Sequence, residues 1–307
     1  MSTLVSGKEL AIYMGLPKKS VSGIPVIECA SFGRNVLCTQ REPRGKKIDF
    51  GSIHHMYDDE GSRVLLDKNS FTSHAFVTGS TGSGKSNAIY QLINSMCFEL
   101  CPEEEKTHFM VIEPAKGEYK DIFGGRKEVS VYGTNPKRSR LLRINPFSFP
   151  DEIHILEHID RLIEIFNVCW PMYAAMPAVL KEAIERAYES VGWNLTMSTC
   201  ENQINGRAVY PNFIDVLNQV NLVISESKYS ADSKGDYVGA LSMRISSLTN
   251  GINGQILTDN ELSDKDIFDK DVIIDLSRVG SNETKSLLMG LLIIKLQEYR
   301  MASAKGS

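Results

Sequence analysis

No stretch constrains the fold of this chain more than Phe76-Val77-Thr78-Gly79-Ser80-Thr81-Gly82-Ser83-Gly84-Lys85-Ser86-Asn87. The apolar run His74 to Thr78 predicts a buried strand. Past the glycines, Ala88, Ile89, Leu92, Ile93, Met96 and Cys97 recur at helical spacing, which predicts a helix from Lys85. Strand, Gly-x-x-x-x-Gly-Lys-Ser and helix together make a phosphate-binding loop in its required context. The glycines let backbone N–H groups turn inward around a phosphate, where a Cβ would clash or forbid the dihedrals. The helix N-terminus adds unpaired donors and a partial positive charge. Gly79, Ser80, Thr81, Gly82, Ser83, Gly84, Lys85, Ser86 and Asn87 are therefore the candidate nucleotide-binding residues. Lys85 would reach the β- and γ-phosphates as a catalytic cation, and the Ser86 hydroxyl would ligate Mg²⁺.

With 307 residues the chain has material for one large domain or two moderate ones. Hydrophobic and charged contents of 42% and 23% are those of an ordinary globular protein, and a net charge of −4 gives no global basic signature for nucleic acid. A local basic pore or loop would vanish in that sum. Cys29, Cys38, Cys97, Cys101, Cys169 and Cys200 form no Cys-x-x-Cys pair and suit free thiols in a reducing compartment. No charged-then-apolar leader opens the chain and its longest apolar run falls short of a membrane span. The expectation is a cytoplasmic protein with no membrane partner.

Residues 1–60 are expected to be a small β-rich N-terminal region. It carries strand-like pieces at Pro25 to Cys29 and, just beyond, at Arg63 to Asp67, with a short helix at Lys8 to Met14. Arg41, Arg44, Lys46 and Lys47 suit a solvated loop. Residues 61–149 would open an α/β core, with strands at Phe109 to Ile112 and Val129 to Tyr132. Strand, helix and strand at this spacing make a parallel crossover. Glu113 would then stand at the carboxyl end of its strand, where such sheets place their ligands. Residues 150–248 are expected to be an all-helical insertion. Its first helix has the stripe Ile153, Leu156, Ile159, Leu162, Ile163 and Phe166, with further helices from about Pro177, Pro211 and Asp236 and a loop over Thr196 to Gly206. In that first helix His154-Ile155-Leu156-Glu157-His158 fits a zinc-peptidase pattern. Those polar residues lie opposite the stripe with Arg161 and Glu164, so a solvated face is the expectation and a metal is not. Residues 249–307 would resume the core with a strand over Asp271 to Ser277 and a helix from about Glu283 to Arg300.

By local pattern, Asp275 is the best candidate for the carboxylate near Mg²⁺, and Glu113 the second. The combination of Leu66-Asp67, His74, the Gly79 to Asn87 loop, Ile112-Glu113-Pro114, Gly117-Glu118-Tyr119 and Val272 to Ser277 resembles the HerA-type ATPases of the HerA/FtsK group. The resemblance runs from about Ile53 onward. It implies a RecA-like P-loop core with a mostly parallel sheet, ATP and Mg²⁺ as cofactors, and a homo-oligomer, as a hexameric ring, that moves DNA. A nuclease is a possible partner. It makes Asp275 a neighbouring-strand residue and puts Glu113 where the family has its acid after the second strand, in a catalytic role. Where relatives often carry Arg before the His at position 74, this chain has Ser73, so Arg143 and Arg278 become candidate arginine fingers.

In that family the Walker B strand follows the helix after Asp275-Leu276-Ser277, where this sequence stops. The resemblance thus implies a chain cut short of its main catalytic carboxylate, one that binds ATP and hydrolyses it poorly, since losing a general base slows such reactions about 10²–10⁴-fold. The expected function is the nucleotide-binding part of an ATP-dependent DNA translocase or helicase. The alternatives are a secretion- or conjugation-type ATPase and a nucleotide-sensing assembly module that scaffolds a nuclease.

Overall fold

The computed structural model describes residues 47–55, 58–99, 107–173 and 175–304, with positions 15 and 22. The expected helix at Lys8 to Met14, the strand at Pro25 to Cys29, most of the basic cluster, and Cys29, Cys38 and Cys101 lie outside the described residues. The chain divides into two compact units, Met1–Lys106 and Thr107–Ser307.

In the first unit β1 (Lys47–His55) and β2 (Asp58–Asp67) form an antiparallel hairpin. Its register shifts around Gly51, whose φ of 138° is open to glycine. The hairpin crosses position 60, so the expected boundary between N-terminal region and core falls inside one element. Asp67 caps the short 3₁₀ turn Lys68–Thr72 by accepting from Asn69 N at 3.0 Å. The phosphate loop leads into α1 (Lys85–Asn94), which continues into one π-helical turn, Ser95–Glu99.

The expected strand over His74 to Thr78 is not formed. These residues have no regular structure, and Phe76 is 90% exposed. An apolar run becomes a buried strand only where ladder partners and covering faces exist. Among the described residues of this unit, β1 and β2 pair with each other and not with this segment.

The second unit holds a four-stranded parallel sheet. Its strands β3 (Met110–Glu113), β4 (Val129–Gly133), β5 (Arg140–Leu141) and β10 (Asp271–Asp275) run in the order β3-β10-β4-β5, and α2 (Tyr119–Phe123) lies in the crossover from β3 to β4. Then come α3 (Ile155–Cys169) and α4 (Met176–Ser190), the latter with Pro in its first turn. Two small antiparallel pairs follow, β6 (Trp193–Asn194) with β7 (Thr199–Cys200) and β8 (Gln203–Ile204) with β9 (Arg207–Ala208). The segment is therefore not all-helical, and Thr196 to Gly206 is not simply a loop. Left-handed residues Ser198, Asn205 and Gly206 turn the chain back on itself there. Next are α5 (Phe213–Glu226), closed by an Asn212/Asp215 capping box, α6 (Ala231–Tyr237), α7 (Met243–Thr249), α8 (Gly251–Ile256) and α9 (Asp264–Phe268). Finally come β10 (Asp271–Asp275) and the long α10 (Asn282–Ala304).

Every residue of β10 is buried, as expected for a strand flanked on both sides and covered on both faces. The covering layers share one core with it. Val272 and Ile274 belong to the same buried cluster as Leu162 of α3, Ile184 of α4, Val216 of α5 and Leu291 of α10. The helical segment thus packs as part of the sheet domain. In α3 the buried face is Ile155, His158, Ile159, Leu162 and Phe166, whereas Leu156 is 37% exposed. The expected stripe is rotated, and His158 sits on its buried side.

Candidate nucleotide-binding site

Two groups of residues, one in each unit, answer the sequence expectations. In the first, the left-handed conformations of Gly82 (φ 80°) and Gly84 (φ 89°) shape the phosphate loop. A Cβ on either would meet nothing within 4 Å, so glycine is required there for its dihedrals, and open space lies where a side chain would stand. At Gly79, by contrast, a Cβ would come within 2.4 Å of Ser83 Oγ, a hydroxyl that can rotate aside, so neither dihedral nor space demands glycine there. Gly84 is the N-cap of α1 and offers no side-chain cap, which leaves the first-turn N–H groups of the helix for an anion. Lys85 Nζ donates to Ser80 O at 2.6 Å, arching the side chain back over its own loop. One of its three donors is used there. Ser86 stands one residue into the helix, and Asn87 is exposed. Left-handed glycines, helix start, ammonium and hydroxyl suit a magnesium-bound polyphosphate. When bound, Mg²⁺ would neutralise phosphate charge, with Ser86 as its protein ligand.

In the second unit, Glu113 and Asp275 end adjacent parallel strands in register. Both are buried, and the segment Gly117 to Lys120 meets both. Glu113 accepts from Glu118 N (2.8 Å) and Tyr119 N (3.2 Å), so its carboxylate holds the start of α2. Asp275 accepts from Lys120 Nζ at 2.5 Å and from Ser277 N and Oγ at 3.0 and 2.5 Å. Burial pushes the Asp275 carboxyl up, but the Lys120 ammonium and the Ser277 donors outweigh it and hold the carboxyl below the usual range. Gly117 (φ 73°) makes this possible, since a Cβ would lie 3.1 Å from Ser277 Oγ and 3.4 Å from Asp275 Oδ2. Lys120 is the residue sequence reasoning missed. Its signal was a cation one helical turn past a glycine that follows a strand-ending acid.

The expected solvated face holds for Glu157 and Glu164, which are exposed, but not for His158. His154 caps α3 by accepting from Leu156 N. His158 is wholly buried, its Nδ1 2.9 Å from Glu298 Oε2 and its Nε2 3.1 Å from Pro146 O. Arg161 also donates to Glu298, at 2.9 Å. Among the described residues, no three His, Cys, Asp or Glu side chains are grouped to hold a metal. Of the arginine-finger candidates, Arg278 is exposed at the carboxyl end of β10 and Arg143 is half-buried, its backbone carbonyl accepting from Leu262 N.

A glycine-built phosphate loop in a chain with a parallel, helix-covered sheet defines the class of P-loop ATPases. Residues 50–296 match the family described as Helicase HerA, central domain, and the chain belongs to that family. The DNA translocase FtsK of Lactiplantibacillus plantarum is 30% identical over 143 residues, 45% of this chain and 17% of that protein. VirB4 of Thermoanaerobacter pseudethanolicus shares the fold, with a TM-score of 0.53 at 15% identity over 86% of this chain and 64% of that one. The chain thus spans less than two thirds of either relative. Its core is RecA-like. Among the described residues, no helix is long and apolar enough to cross a membrane.

Proposed function

We propose that this chain is the nucleotide-binding part of a HerA-like motor, in which ATP bound with Mg²⁺ at Gly79 to Asn87 drives the movement of DNA by a ring of identical subunits. The observation that carries the reading is the pair of left-handed glycines opening onto a helix start with Lys85 at its first position. The ammonium would exchange its bond to Ser80 O for the β- and γ-phosphates, and Ser86 would hold the metal. Phosphoryl transfer to water then depends on positioning and charge neutralisation. Glu113 we assign to positioning: with both oxygens accepting backbone N–H groups, it holds Gly117 to Lys120 in place beside Asp275. DNA as the cargo is supported by the identity with a DNA translocase over 143 residues.

Titration calorimetry with ATP and Mg²⁺ tests the first step. The chain binds ATP, and Lys85→Ala weakens binding by about tenfold or more, as expected for a lost charge-assisted contact. Equal affinity in that variant would remove the basis of the assignment. For the second step, DNA binding by the chain should weaken steeply with salt.

A further inference from the structure

The small ribbons between α4 and α5 do more than turn the chain. With the segment Ser148 to Glu152 and the residues Glu261 and Asp264 they line a cavity of about 670 Å³. That volume falls within the roughly 300–1,000 Å³ of small-molecule sites. Asp264 opens α9, which leads into the amino end of β10, so the cavity stands away from the strand ends that carry Glu113 and Asp275. All of its residues belong to the second unit.

Part of the lining is aromatic. The rings of Trp193 and Tyr210 lie 5.2 Å apart, and Phe149 packs against them at 5.2 and 5.4 Å. Trp193 Nε1 donates to Val209 O and Tyr210 Oη to Phe149 O, so both polar ends are committed and ring carbon is what remains for a ligand. The charged lining is mostly acidic, with Asp151, Glu152, Glu261 and Asp264 against Arg207. Asp151 and Glu152 are exposed and, among the described residues, have no hydrogen-bond or ion-pair partner. Lys295 lies 3.2 Å from Glu261 and 3.9 Å from Asp264, but its three donors go to Asn145 O, Ser148 O and Ser148 Oγ. Asp264 Oδ1 is thus buried without a hydrogen bond among the described residues. Burial raises its carboxyl more than Lys295 lowers it, the sign of a carboxylate short of a cation.

Aromatic rings beside under-compensated carboxylates favour an organic cation, because the ring faces and the carboxylates attract the same charge. A metal ion fits less well, since among the described residues no three His, Cys, Asp or Glu side chains are grouped to hold one. The carboxylates come from two separate segments, Asp151 and Glu152 on one and Glu261 and Asp264 on the other, so they can answer more than one positive charge. We propose that this cavity is a binding site for an aliphatic amine or guanidinium ligand carrying at least two positive charges. Its source is either a free polyamine or neighbouring Lys and Arg side chains of a polypeptide. The site stands on its own residues and does not require nucleotide at the Gly79 to Asn87 loop.

The test titrates the full chain, without nucleotide, with spermidine and separately with an acetylated, amidated Lys-Arg dipeptide. The chain has two tryptophans, Trp170 and Trp193, and of these Trp193 lines the cavity. In NMR of the indole N–H groups, assigned with Trp170→Phe, binding should shift the Trp193 signal and leave that of Trp170 in place. Asp264→Asn keeps the side chain's shape and has no hydrogen bond at Oδ1 to lose, and it should weaken the amine by about tenfold. Asp151→Asn with Glu152→Gln, both exposed, should weaken it about threefold without moving the thermal midpoint, and carries the test if Asp264→Asn fails to fold. Tighter binding of spermidine identifies a free polyamine, and tighter binding of the dipeptide identifies a polypeptide. The proposal falls if neither probe moves the Trp193 signal, if the carboxylate variants bind as well as wild type, or if an equal concentration of Mg²⁺ displaces the amine.

Discussion

Glu113 and Asp275 are register partners at the carboxyl ends of β3 and β10, and the segment Gly117 to Lys120 binds them both. Glu113 takes the backbone N–H groups of that segment and Asp275 takes its ammonium. Two buried carboxylates thus stand side by side without sharing a donor. Asp275 carries the charge pair, so its partner is the place to test it.

Lys120→Ala should destabilise the second unit by about 1–3 kcal/mol at neutral pH, because Asp275 stays buried with only Ser277 to answer it. The sign of the pH dependence follows from the depressed carboxyl. Its contribution is complete above the ordinary value of 3.8 and disappears as pH falls through the lower folded value. The gap between wild type and variant in urea unfolding should therefore close on acidification.

Gly84→Ala should act on the phosphate loop through the backbone. The added methyl has open space, but φ of 89° is strained for any residue with a Cβ, by about 1–2 kcal/mol. Since the loop is exposed, it can relax into another shape, so nucleotide affinity should fall about tenfold while the melting temperature changes little. An affinity equal to wild type would show that the left-handed turn is not needed for binding.

His158→Gln should be among the most damaging single changes in the chain. It leaves Glu298 buried with Arg161 as its remaining charge partner, a loss of about 3 kcal/mol measured by urea unfolding. Burial raises the Glu298 carboxyl, but His158 and then Arg161 overcome this and hold it below the usual value of 4.5. Stability from this group is thus present above that value and is lost as pH falls through the folded one, and the variant should show a flatter acid limb.

Lys295→Met removes a buried ammonium that donates to Asn145 O, Ser148 O and Ser148 Oγ and lies 3.2 Å from Glu261. A loss of about 3 kcal/mol is expected. Burial already raises the Asp264 carboxyl and Lys295 opposes that, so in the variant it rises further. A carboxyl raised on folding weakens the fold when it ionises. The deficit should therefore widen as pH increases through the folded value, which unfolding at several pH values would reveal.

The phosphate loop was legible because its demands are local: two left-handed residues and a helix start are met by glycines and a lysine wherever the loop sits. Most elements of the sheet and its helices were legible for a related reason, since Val272 to Ile274 or Leu287 to Leu291 can be buried in few ways. The Gly117-Glu118-Tyr119 stretch was visible as a motif, but its purpose was not. That purpose depends on Asp275, more than a hundred and fifty residues away in the chain.

Sequence alone therefore determined the loop, the parallel strands and the long closing helix, because each follows from backbone geometry and hydrophobic period. The fate of side chains whose partners are remote was decided by tertiary structure. His158 became a buried hydrogen-bond partner of Glu298, Glu113 a helix cap, and the helical segment part of the sheet's core. His74 to Thr78, apolar enough for a strand, formed none. Periodicity shows which residues favour burial, but whether a strand pairs or a charge is answered depends on groups that only folding brings within reach.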